Sequence, residues 1–155
     1  MANTYTQLNI QLVFAVKGRD SLLKKSFRYE LFMYISGILK EINQFPLAVN
    51  GYLDHVHVFF EMNPKNSVSE ISRILKSNSS KWINDKNFLM NKFNWQSGYG
   101  AFSYSRSHRD KVIKYIMNQE KHHKKKTFKD EYLDFLTSFN IKHEKKYLFE
   151  WINLT

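Results

Sequence analysis

The chain has no cysteine, which excludes disulfides, thiolate metal sites and a cysteine nucleophile. Two prolines and five glycines among 155 residues leave little material for linkers. Long apolar runs are missing as well. The opening MANTYTQLNIQLVFAV has no basic stretch followed by a hydrophobic block, so neither signal peptide nor membrane anchor is expected, and the expected location is the cytoplasm. Acidic residues are in deficit, 14 against 24 lysines and arginines, which gives a net charge of +10. That balance suits a polyanionic partner, either nucleic acid or an anionic membrane surface, and it also fits a merely solvated basic surface.

What is present reads as globular. Hydrophobic residues are 43% and charged residues 25%, a composition that can bury a core. The length fits one compact domain over residues 1–155. Thirteen Phe, nine Tyr and three Trp are many for this size. Some belong in a core, and others are available to stack on bases.

From Gln7 to Val16, apolar and polar residues alternate as in a half-buried strand. Leu31, Tyr34, Ile35, Ile38 and Ile42 recur at helical spacing between Phe27 and Ile42, and Pro46 ends that element. Leu47 to Asn50 and His55 to Met62 read as strands joined by a short turn at Gly51, hence an antiparallel hairpin. Ser67 and Glu70 form a capping box for the next helix. Trp95 to Tyr104 reads as one or two strand pieces broken by Gly98 and Gly100. Ser107 with Asp110 marks a further helix start, and a last helix spans Phe128 to Phe139. The closing YLFEWI is a strand or a docked tail. This order predicts an α+β, ferredoxin-like arrangement, an antiparallel sheet covered by helices on one face.

Three groups of residues carry possible chemistry. His55 and His57 are two apart on a strand, so their imidazoles project to one face with Val56 opposite, and such a pair can grip a divalent ion. Spacing alone fits two polar residues on a solvated sheet face equally well. Tyr115 and Gln119 are four apart on a helix and share a face. A phenol can attack phosphorus once a metal polarises the phosphate, and the amide oxygen is a neutral ligand. Read singly, Tyr115 edges the core and Gln119 is a surface residue. His122, about two turns beyond Tyr115, and the adjacent His123 follow. His122 can handle a proton or bind phosphate, or simply be a cation near a helix C-terminus. Finally, Arg73, Lys76 and Lys81, then Arg106, His108, Arg109 and Lys111, with Tyr99, Phe102 and Tyr104 between them, suit a groove for single-stranded nucleic acid. A solvated face explains each of those charges one by one.

Together these residues resemble a known family. His55-Val56-His57 resembles the HUH motif. The stretch WQSGYGAFSYSRS followed by YIMNQEKHH, the opening YTQLNIQLVFAVKGR and the ILKSNSSKWI segment are similar to the single-tyrosine HUH transposases of small bacterial insertion sequences, the IS200-like group. The resemblance implies an HUH fold and a DNA transposase and endonuclease of a mobile element. Tyr115 would be the nucleophile, giving a 5′-phosphotyrosine link and a free 3′ hydroxyl. His55, His57 and Gln119 would hold Mg2+ or Mn2+. The substrate would be single-stranded DNA with hairpins. The protein would be a homodimer, with the tyrosine helix of one subunit completing the HUH site of the other in trans. Arg73, Lys76, Lys81, Tyr99, Phe102, Arg106, Arg109 and His122 are the candidate DNA contacts. The same motifs would serve a replication-type nickase or a domesticated relative. A non-enzymatic single-strand-binding module on a ferredoxin-like sheet is the remaining alternative.

Overall fold

The computed structural model describes residues 2–154. Four strands form one antiparallel sheet: β1 Asn9–Ala15, β2 Phe45–Gly51, β3 His55–Glu61 and β4 Gly100–Tyr104. Their spatial order is β2-β3-β1-β4. The helices are α1 Lys25–Glu41, α2 Val68–Asp85, α3 Arg109–Met117, α4 Gln119–His122 and α5 Phe128–Ser138. The chain order from β1 to β4 is therefore strand-helix-strand, strand-helix-strand, the ferredoxin-like split βαβ topology. Among the described residues, no helix is long and apolar enough to cross a membrane.

Alternation along the strands builds two cores, because neighbouring residues of a strand face opposite sides of the sheet. Leu12, Phe14 and Val16 of the β1 segment and Val56, Val58 and Phe60 of β3 face α1 and α2 and form the larger cluster. On the opposite side, Val13, Ala15 and Phe102 meet Phe128, Tyr132 and Leu136 of α5, together with Phe149. Ala48 and Phe59 on that side meet Val112 and Ile116 of α3. Helices thus cover both faces, which corrects the expectation of one covered face. The reason lies in β1 and β3, which are buried on both sides and so need apolar cover on both.

Local signals hold with two adjustments. Ser67 caps α2 by accepting the Glu70 backbone N–H at 3.1 Å. Ser107 does not cap α3: a 3-10 turn at Arg106–His108 leads into it, with Ser105 Oγ bonded to His108 Nδ1 at 2.7 Å. The closing segment is a docked tail. Phe149 is buried, and the Glu150 backbone exchanges two bonds with the Gln96 side chain, each 2.7 Å long.

Gly51 ends β2 where the backbone of His55 passes very close. A Cβ there would lie 2.2 Å from the His55 carbonyl oxygen, whereas one on Gly37, in the exposed middle of α1, would meet nothing within 4 Å. Alanine at the two positions should therefore act with opposite sign. Gly51→Ala is expected to destabilise by about 1–3 kcal/mol or more, and Gly37→Ala to stabilise by about 0.5–1 kcal/mol. Urea denaturation of both variants checks this; equal midpoints would show that the hairpin relaxes freely.

Candidate active site

His55 and His57 lie on the sheet face beneath α3, α4 and α5. Both rings are fully buried, so the face is not a solvated one. Phe128 of α5 lies flat on His55, with centroids 4.0 Å apart and planes 5° from parallel. His57 stands edge-on to Tyr115, with centroids 6.1 Å apart. The two imidazoles are 5.0 Å apart, centroid to centroid.

Each ring is fixed from behind by an acceptor at Nδ1. His55 Nδ1–H donates to Asp54 Oδ1 at 2.8 Å, and His57 Nδ1–H to Gln11 Oε1 at 2.6 Å. Gln11 is itself oriented, because its amide nitrogen donates to the Tyr104 hydroxyl at 2.8 Å. A third imidazole, His123, donates from Nδ1 to the Lys126 carbonyl at 2.7 Å. An imidazole whose Nδ1 carries the proton presents an Nε2 lone pair when neutral.

Those three Nε2 atoms converge on Glu131 of α5. Glu131 Oε1 is 3.0 Å from His57 Nε2 and 3.3 Å from both His55 Nε2 and His123 Nε2. Gln119 Oε1 is 3.0 Å from His55 Nε2 and 2.9 Å from His123 Nε2. The other carboxylate oxygen, Oε2, accepts a hydrogen bond from the Tyr115 hydroxyl and one from the Gln119 amide at 3.3 Å. His122 Nε2 lies 3.3 Å from that oxygen and 3.4 Å from the Tyr115 hydroxyl.

Local structure explains why α4 reaches this point. The helix breaks at Asn118, between Tyr115 and Gln119, and restarts as α4. The single predicted helix through both residues is thus two helices. Glu120 anchors the restart to α1: it accepts from the Tyr29 hydroxyl at 2.9 Å and pairs with Lys25 and Arg28, each at 3.6 Å. Tyr52 stacks on His123, with centroids 5.6 Å apart. Asn50 on β2 donates to the Ile116 carbonyl at 3.0 Å, tying the end of α3 to the sheet.

The electrostatics follow from burying these groups together. Burial acts to lower the His55 pKa, but hydrogen bonds and charge from Asp54 and Glu131 outweigh it and push it up to about 10. His57 is lowered: burial and the repulsion of His55 and His123 prevail over Glu131. Burial would raise the Glu131 carboxyl, yet the surrounding imidazoles hold it well below the usual carboxylate range. Burial and the Glu131 charge raise the Tyr115 phenol well above the tyrosine range. Tyr104 is pushed up to about 12, mainly by burial.

The donor set fits a metal ion. His57 Nδ1 is engaged by Gln11, so its Nε2 is turned inward to a carboxylate oxygen at 3.0 Å. Potential ligand atoms of His55, His57, His123 and Glu131 all lie within 4.8 Å of one another. First-row ions sit about 2.0–2.2 Å from nitrogen and oxygen ligands, which spaces adjacent ligand atoms by about 3.0–3.5 Å. The contacts here, 2.9 to 3.3 Å, are close to that spacing. Acceptors fixed behind each ring are the usual support of a metal-binding histidine.

The structure brings Tyr115, His55, His57, Gln119 and His122 together within one chain. The other candidates are elsewhere. Arg73, Lys76 and Lys81 belong to α2, on the opposite side of the sheet. Lys76 donates to the carbonyls of Gln96 and Gly98 at 2.7 and 2.9 Å, bracing a loop, and Lys81 pairs with Asp85 at 2.7 Å. Arg106 donates to Gln7 at 3.1 Å, and Arg109 lies 3.7 Å from Glu61. Tyr99 is exposed. Phe102 does not serve as a stacking platform: it is buried beneath Phe135 and Phe139, both 5.0 Å away, because its strand face is covered by α5. Sequence reasoning gave Glu131 no role and His123 no ligand role. A signal for Glu131 existed, since it sits between Phe128, Tyr132 and Phe135 on the apolar stripe of α5, where a solvated carboxylate has no place.

The profile of the family described as IS200-like transposase matches residues 4–119. A protein from Deinococcus radiodurans R1, assigned as a transposase, superposes with a TM-score of 0.61 at 20% identity, over 77% of this chain and 95% of its own. A REP-associated tyrosine transposase bound to a REP hairpin superposes with a TM-score of 0.55 at 13% identity, over 76% of this chain and 70% of its own. At such identities the likeness to these structures is one of fold. No curated protein matches the chain.

The buried phenol gives a pH signature. Because its pKa is raised, Tyr115 keeps its proton through the range where a solvated tyrosine ionises, about pH 10. Alkaline absorbance titration of ion-free Tyr115→Phe should overlay the native curve to about pH 11. Glu131→Gln, which removes the neighbouring negative charge, should bring one further ionisation to lower pH. Loss of an ionisation near pH 10 in Tyr115→Phe would instead mark a solvated phenol.

Proposed function

This chain belongs to the IS200-like transposase family, and from that premise we propose that it cleaves and rejoins single-stranded DNA through a phosphotyrosine formed on Tyr115. The observation that carries the proposal is the meeting of one phenol with a buried, metal-fitting imidazole pair inside a single chain.

In this reading Tyr115 supplies the nucleophile. Its oxygen bonds to the scissile phosphorus, and the bond from phosphorus to the 3′ oxygen of the preceding nucleotide breaks. The products are a 5′-phosphotyrosine and a 3′ hydroxyl, which takes up a proton. Attack by a 3′ hydroxyl on the phosphotyrosine reverses the step and joins strands. One phosphodiester is exchanged for another, so no nucleotide triphosphate is consumed. His55 and His57, with Gln119, would hold a divalent ion, which when bound supplies Lewis-acid polarisation of the phosphate and favours the phenolate. Glu131 and His122 touch the phenol oxygen; Glu131 is placed to orient it and His122 to take its proton.

Substrate access has a visible route. A cleft of about 320 Å³ opens onto Tyr115, His122 and Glu131, with Tyr104, Phe135 and Lys111 among its walls. Aromatic walls with a lysine suit a nucleotide next to the scissile phosphate. The +10 charge favours the DNA backbone generally. Binding of DNA hairpins and a homodimeric state belong to the proposal. The outer strands β2 and β4 are the two edges from which a sheet could extend into a second copy.

A labelled single-stranded hairpin oligonucleotide, incubated with protein and Mn2+ or Mg2+ and run on a denaturing gel, tests the chemistry. Tyr115→Phe should form no covalent adduct. His55→Ala and His57→Ala should each cut at least about 100-fold more slowly while retaining most of the DNA binding. An adduct that persists in Tyr115→Phe would assign the nucleophile elsewhere; parallel loss of binding and cleavage in the histidine variants would make their role structural.

A further inference from the structure

The family profile ends at residue 119. Two groups that face the imidazole pair lie beyond it: His123, just past α4, and Glu131 on α5. We propose that these two complete the metal centre in cis and that the resulting nitrogen-rich donor set selects a transition-metal ion over Mg2+. The inference rests on the functional reading above and names the ion class and the full ligand set of that same site.

Geometry supports the added ligands. His123 Nε2 lies 3.3 Å from Glu131 Oε1 and 2.9 Å from Gln119 Oε1, and its side chain is 2% exposed. Its Nδ1 donates to a backbone carbonyl at 2.7 Å, so its other nitrogen is directed inward just as those of His55 and His57 are. Glu131 is 3% exposed, and its Oε1 faces all three Nε2 atoms. Among the described residues, no lysine or arginine forms an ion pair with this carboxylate; the groups bonded to or paired with it are the four imidazoles, the Tyr115 phenol and the Gln119 amide. A cation shared with the three inward nitrogens would add to the compensation that the imidazoles give this buried carboxylate.

Chemistry then sets the selectivity. The inward donors are three imidazole nitrogens, one carboxylate oxygen and one amide oxygen. Mg2+ prefers oxygen ligands, dehydrates reluctantly and normally keeps several waters. A cluster whose ligand atoms already stand within 4.8 Å of one another, all on buried side chains, leaves little room for such waters. Imidazole-rich sets favour later first-row ions such as Co2+ and Zn2+ over Mn2+. Glu131 also gives the site a second property. Its Oε1 faces the ligands while its Oε2 holds the Tyr115 hydroxyl, so one carboxylate acts as a positioning residue that fixes the phenol beside the ion.

Ion binding to the metal-stripped full-length protein tests this without reference to cleavage. Titrations of Co2+, Zn2+, Mn2+ and Mg2+ would be followed by calorimetry, and that of Co2+ also by its visible ligand-field bands. Co2+ should bind at least about 100-fold more tightly than Mg2+. Glu131→Gln and His123→Ala should each weaken Co2+ binding by at least about tenfold and change the bands; Glu131→Asp, which keeps a carboxylate, should recover part of the Glu131→Gln loss. A single cooperative thermal transition in each ion-free variant establishes that it is folded. If Glu131→Gln and His123→Ala bind Co2+ as the native protein does while His55→Ala does not, the ligands are the imidazole pair and Gln119 alone, and the inference falls while the proposed function stands. Equal affinity for Mg2+ and Co2+ overturns the selectivity. Failure of the native protein to bind any of the four ions overturns both.

Discussion

A glutamate carboxylate closed off from water among imidazoles sets the terms for the structure around it. Burying that charge without compensation would be very costly. Glu131 is compensated by imidazoles on β3 and beyond α4, a phenol on α3 and an amide on α4. The compensation is available only when α5 is docked. The aromatic cluster that docks it, Phe128, Tyr132 and Phe149 against Phe102, is therefore part of the site as much as of the core. Phe128 belongs to both, since its ring also covers His55.

The sheet contributes rigidity and aim. β3 is flanked by β2 and β1, with Val13 opposite His57 and Ala15 opposite His55. A strand held on both edges cannot slip register without exposing its apolar face, so the two imidazoles are fixed relative to each other. The helical half is assembled differently. Tyr115 and Gln119 are separated by the break at Asn118, and each half is tied down by its own contacts: Asn50 to the end of α3, and Tyr29, Lys25 and Arg28 to Glu120. The break lets the phenol and the amide meet the same carboxylate oxygen from neighbouring helices.

The division between residues 4–119 and the remainder also divides the site. The matched segment supplies the imidazole pair, the tyrosine and the glutamine. The segment that follows supplies His122, His123 and Glu131, together with the helix that covers the face. The segment after residue 119 forms a C-terminal cap whose polar residues are directed at the imidazole pair and the Tyr115 phenol, and whose apolar residues hold that arrangement in place.

Sequence alone determined the features that depend on local periodicity. Residues two apart on a strand must share a face, so the joint projection of His55 and His57 was legible, as were the hairpin through Gly51, the Ser67 cap and the ferredoxin-like order of elements. The motif resemblance reached the family for the same reason, since its residues are read in order along the chain. Only the tertiary structure decided that helices cover both sheet faces, that Phe102 is core rather than stacking surface, and that the basic residues of α2 lie across the sheet from the histidines. It alone brought Glu131 to the imidazoles, 74 residues from His57. A carboxylate in the first turn of a helix favours that helix's own dipole wherever the helix lies. Which groups it neutralises depends on where the helix docks, and docking is set by long-range packing that no local pattern encodes.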